Sequence, residues 1–74
     1  MPLHLRKFSP IDREYPIFEV LDGETPLFDI SRADDGREEL ALHEGGAGKV
    51  IALDEFLSIV AEARSRLAAE EGDR

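Results

Sequence analysis

LDEFLSIVAEARSRLAAEE, residues 53–71, is the stretch whose reading decides the fold of this 74-residue chain. Placed at about 100° per residue, Leu53, Phe56, Val60, Ala63 and Leu67 share one arc, with Leu57 and Ile59 at its two edges. Glu62, Ser58, Ala69 and Ser65 fall on the opposite side, where water is expected. No Gly or Pro interrupts the run, and Ala, Leu, Glu and Arg, all good helix formers, dominate it. Asp54 and Glu55 sit at the proposed start, where unpaired amides favour negative charge. Glu62 and Arg66 stand in the favourable i,i+4 order, and Gly72 is the expected stop. The pattern predicts one amphipathic helix. Its apolar arc spans roughly 160° with Ile59 included, wider than the ~100° stripe of an ordinary surface helix. Arg64 lies just inside the edge of that arc. It can lay its stem along the core with its head in water, or present its charge to a partner.

Upstream, Tyr15–Leu21 and Thr25–Ser31 read as two strands around Asp22-Gly23, a strong hairpin signal. A two-residue Asp22-Gly23 loop would set Phe18 and Val20 with Leu27. A three-residue loop ending on Gly23 would set them with Phe28 and Ile30, which makes the better core and is the arrangement expected. That choice leaves Ile17, Leu21 and Leu27 on the other face, among Glu19, Asp29 and Thr25, to be covered by the N-terminal segment or by another subunit. Asp34-Asp35-Gly36 forms a turn, and residues 38–44 alternate as a third strand, Leu40 and Leu42 inward, Glu39, Ala41 and His43 outward. The expected fold is α+β: a three- to four-stranded antiparallel sheet packed by one C-terminal amphipathic helix, in two layers. Residues 15–72 form the single small domain. Residues 1–14 form an arm, a short edge strand at Leu3–Leu5 or a partly disordered segment, halted at Ser9-Pro10.

A chain of this length buries only about 60% of its unfolded surface, so its core is modest. Cysteine is absent, which excludes a disulfide framework or a thiolate metal site and leaves oligomerisation as the route to added stability. No run approaches the ~18 apolar residues of a membrane span, and Met1–Phe8 does not resemble a signal peptide; a cytoplasmic location is expected. Net charge is −8 with a pI near 4.6. The acidity sits in residues 15–74, whereas Met1–Glu14 is slightly basic. Such a body repels nucleic acid and anionic lipid and attracts basic partners.

Three constellations invite chemistry. Gly45-Gly46-Ala47-Gly48-Lys49-Val50 lacks the leading Gly and the Ser or Thr of a phosphate-binding loop, and Val50-Ile51 follows where a helix should open. His43 beside Glu44 falls short of a metal site, because neighbouring strand residues point oppositely, and Glu39 or Asp29 would have to be recruited by an unknown register. No metal and no cofactor is expected. The serines have no adjacent base, and paired acids need a cleft, so the chain does not read as an enzyme. The expected function is a small acidic interaction or regulatory module, of the inhibitor, immunity or adaptor kind, self-associating as a homodimer and able to meet a basic protein. Ile17, Leu21, Leu27, Ile59 and Arg64 are its candidate contact residues. The alternative is a small-ligand or metal binder using the Gly45–Gly48 loop and His43.

Overall fold

The computed structural model describes residues 2–72. Its first strand comes from the segment expected to be an arm. β1 (Leu3–Phe8) pairs antiparallel with β2 (Ile17–Asp22) along its whole length, from Leu3 opposite Asp22 to Phe8 opposite Ile17. The reason is the alternation in β1. Leu3 and Leu5 pack against the core, while Arg6 stands opposite Glu19 and forms an ion pair with it at 2.6 Å. Leu3–Phe8 extends the sheet sideways and does not lie across the opposite face, for which the arm was one of two expected covers.

β2 and β3 (Thr25–Arg32) form the central hairpin. Asp22 and Thr25 close it, so the loop is Gly23-Glu24, with φ +62° at Gly23 and no positive φ at Glu24. A left-handed glycine in the first loop position is what a type II′ turn requires. The three-residue loop expected from the sequence is not there, yet the faces match as expected: Phe18 lies opposite Ile30 and Val20 opposite Phe28. A bulge reconciles the two. The register shifts between Val20 and Leu21, with Leu21 opposite Pro26, so Leu27 is the additional residue on β3. A two-residue loop alone would have set Val20 opposite Leu27. The inserted residue restores Phe28 to that place and brings Leu27 into the same buried cluster.

β4 (Glu38–Leu42) completes a sheet of order β1-β2-β3-β4, an antiparallel meander. Leu42 faces Phe28 and Leu40 faces Ile30. The chain then makes a short 3-10 turn at Glu44–Gly46 beside the start of β3. Here glycine is needed for space: a Cβ at Gly46 would stand 2.5 Å from the Leu27 carbonyl oxygen, and one at Gly45 would stand 2.6 Å from that of Pro26.

α1 (Leu53–Gly72) packs against β1 and β3, so the fold is the expected two-layer α+β domain, one helix on an antiparallel sheet. The helix includes Gly72, the residue expected to stop it, and residues 73 and 74 lie outside those described. Phe18, Val20, Leu27, Phe28 and Ile30 meet Ile59, Ala63 and Leu67 in the core. Phe56 tilts against Phe28 with ring centroids 5.4 Å apart. The buried line of the helix is rotated from the one expected. Ile59, at the edge of the expected arc, is buried with Ala63 and Leu67, and Leu53 and Leu57 are exposed. The cause is coverage: one helix over β1 to β3 does not reach across β4. Among the described residues no helix is long and apolar enough to cross a membrane.

Leu67 is fully buried. Leu67→Ala removes apolar contact and leaves a cavity, so it should lower the unfolding free energy by about 2–5 kcal/mol. Urea denaturation measures this, and a loss under about 0.5 kcal/mol would mean that the helix packs with another face inward.

Candidate functional site

The two faces of the sheet carry different chemistry. On the helix side, Leu40 and Leu42 point towards α1 but remain 45% and 79% exposed. Val50, Leu53 and Leu57 are exposed as well. Between β4 and α1 runs a shallow groove of about 160 Å³, lined by Ile30, Leu40, Val60, Glu38, Glu39 and Arg64. Its polar wall is organised. Arg64 Nε donates to Glu38 Oε2 at 3.0 Å, and Arg32 Nη2 stands 3.9 Å from the same oxygen. The hydrogen bond from Arg64 holds the Glu38 carboxyl below its ordinary value; a slight loss of hydration opposes this, and the charges of Arg64 and Arg32 add to it.

The edge of β4 has a defined polarity. The His43 amide donates to the Leu27 carbonyl at 3.0 Å. Antiparallel pairs alternate between bonded and non-bonded positions, so Ala41 and Glu39 bond inward to β3, and the amides of Leu40 and Leu42 face outward. The same two residues thus offer both apolar side chains and unpaired backbone.

On the opposite face, Glu19 lies directly across from Asp29, and His43 follows β4 one step beyond the strand end. Ala41, the residue opposite Asp29, is too small to crowd it, and His43 reaches Asp29 diagonally. His43 Nε2 stands 2.8 Å from Asp29 Oδ1. Both atoms are shielded from water, and neither makes a well-formed hydrogen bond with another group. One donor atom from each of Glu19, Asp29 and His43 lies within 4.8 Å of the others. A groove of about 450 Å³ opens beside them, lined by Arg6, Lys7, Phe8, Ile17, Glu19 and Asp29. One end of this face is closed, since Arg13 donates to Ser31 Oγ at 3.5 Å and to the Arg32 carbonyl at 3.3 Å.

The five candidate contact residues are not brought together. Leu21, Leu27 and Ile59 are buried, at 1%, 0% and 6% exposure, so one copy of the chain has no surface made of them. Leu27 is turned in by the bulge and Ile59 by the rotation of the helix; Leu21 is buried apart from the main cluster. Ile17 is half-buried and lines the larger groove. Arg64 is exposed on the β4 flank of the helix, tied to Glu38. His43 meets Asp29, as the recruitment of neighbours required, but the third residue is Glu19; Glu39 pairs with Arg37 at 3.0 Å. Glu19 was missed because only the bulged register shows it opposite Asp29. Gly45 and Gly46 lie against β3 backbone and serve that close approach, whereas Gly48 takes a φ of +76° in open space. Comparison of the chain with models of protein families, with curated proteins and with solved structures finds no match.

Because the Glu38 carboxyl is held low, the stability that its contact with Arg64 contributes is present above the ordinary glutamate range. It is lost as pH falls through the lowered value. Both groups are largely in solvent, so the effect is small. Acid titration of the unfolding midpoint should show a shallower decline in Arg64→Gln than in the parent; identical profiles would mean that the pair contributes nothing.

Proposed function

We propose that the chain is a protein–protein interaction module of the inhibitor or adaptor kind, paired with a second copy across β4. The observation that carries this reading is the strip left uncovered beside that strand: Leu40, Leu42, Leu53 and Leu57. A lone exposed leucine needs no account, but two on an open sheet edge and two on the helix flank from which Arg64 reaches Glu38 form a surface that water solvates poorly.

Charge is compatible with a two-fold pairing. In an antiparallel arrangement centred on Leu40, Glu38 of one copy faces Leu42 of the other and Glu39 faces Ala41, so no like charges stand opposite. The outward amides of Leu40 and Leu42 then find carbonyl partners, and the two helices flank a joined apolar strip. The paired module keeps its acidic remainder in water, where it would meet a basic protein. Each copy carries −8, so the approach of two copies is opposed at long range. Added salt screens that repulsion, whereas it weakens attraction to a basic partner. The sign of the salt effect separates self-pairing from pairing with another protein.

Sedimentation or light scattering across a concentration series should give a mass near twice that of the chain, with the dimer favoured by added salt. Leu42→Lys and Leu40→Pro should each be monomeric and still fold by circular dichroism, since neither residue is in the core and the Leu40 amide does not serve β3. A monomer at every concentration, or a dimer indifferent to both substitutions, rejects the pairing. A monomer that captures a basic protein, less so at high salt, would replace the second copy with that partner.

A further inference from the structure

We infer that Glu19, Asp29 and His43 form a binding site for a divalent transition-metal ion, on the face of the sheet away from α1. The residues come from three different places in the chain: the middle of β2, the middle of β3 and the first residue after β4. Strand pairing alone brings them together. Glu19 and Asp29 are register partners and therefore project from the same face, and His43 shares that face by its even spacing from Ala41, the partner of Asp29.

Their donor atoms have the span that an ion needs. Ligands on a tetrahedral zinc ion, bonded at about 2.0–2.2 Å, stand roughly 3.3–3.6 Å from one another. Here the three atoms lie within 4.8 Å, with Asp29 Oδ1 and His43 Nε2 at 2.8 Å. Small side-chain rotations that open the shorter gap and close the longer one would seat an ion, and all three residues keep the partial exposure to make them. The rest of the fold need not move.

A second observation points the same way. Asp29 Oδ1 and His43 Nε2 are both shielded from water and are satisfied by no other group. With the ring proton on Nδ1, His43 Nε2 offers an electron pair as the carboxylate oxygen does. A metal ion seated between them would satisfy both atoms and engage Glu19 as well. One imidazole nitrogen with two carboxylates suits zinc and its first-row neighbours; magnesium and calcium prefer all-oxygen shells. The site faces the 450 Å³ groove, which leaves water access to any remaining coordination position.

One residue opposes the ion. Arg6 holds Glu19 at 2.6 Å, so its guanidinium competes for the same carboxylate. The site is therefore expected to be moderate in affinity, and Arg6 tunes it.

Isothermal titration of the intact chain with zinc chloride should show one ion bound per chain, with magnesium chloride giving no heat. His43→Ala and Asp29→Asn should each abolish the binding, whereas Arg6→Gln should strengthen it by about five-fold, the order expected for removing one competing surface charge. His4→Ala is the control, because His4 lies on the same face of β1 but outside the trio, and its loss should leave binding unchanged. Circular dichroism checks each variant for folding. If His43→Ala fails to fold, the parent's His43 ring resonances answer instead: zinc should shift them and leave those of His4 in place. No saturable zinc binding, or binding that persists in folded His43→Ala and is lost in His4→Ala, overturns the assignment.

Discussion

The fold depends on one additional residue, Leu27, in the second strand of the central hairpin. The tight Gly23-Glu24 loop sets a pairing that would oppose Val20 with Leu27. Past the bulge the pairing moves by one residue, and Phe18, Val20, Phe28 and Ile30 then share a face. Because the side-chain period of a strand is two, that single insertion decides the face of every residue from Phe28 onward. It places Phe28 under Phe56 and, on the opposite face, Asp29 beside Glu19. The core and the polar trio are two consequences of the same irregularity.

A second constraint is the ratio of one helix to a sheet of four strands. α1 covers β1 to β3, where Leu3, Leu5, Phe18 and Ile30 lie beneath Ile59, Ala63 and Leu67. Tilting the helix towards β4 would cover Leu40 and Leu42 only by exposing Leu3 and Leu5. Ionic contacts brace both flanks: Lys7 of β1 reaches Glu70, and Arg64 reaches Glu38 of β4. Such surface pairs contribute little energy, so the position of the helix is set chiefly by the apolar contacts between them.

How much of this was legible in the residues follows from the range of each interaction. The helix was legible because its period is local, and so was the sharing of a face by Phe18, Val20, Phe28 and Ile30, because only that choice made a core. The means was not. A loop of Gly23-Glu24 with a bulge at Leu27 and a three-residue loop without one give the same faces, and the difference lies in backbone hydrogen bonding. The inner line of the helix shifted from Val60 towards Ile59 because periodicity ranks arcs by apolar content, whereas a partner covers only part of a wide arc. β1 was underestimated for a related reason: an edge strand with two leucines is secured by its neighbour β2, not by its own pattern. The polar trio needed two registers at once, and no local signal contains either.

The two edges of the sheet also differ in a way that bears on assembly. β1 carries Arg6 and Lys7, both engaged with carboxylates, and charged side chains along an edge discourage another strand from adding there. β4 has its acidic residues at one end and Leu40, Ala41 and Leu42 at the other. If both edges were equally receptive, β1 of one copy could join β4 of the next, and the contact would repeat without closing. With only β4 receptive, the proposed pairing would consume the receptive edge of both copies at once and stop at two. The face with Glu19, Asp29 and His43 looks away from α1, so in such a pair it would stay clear of the joined strip.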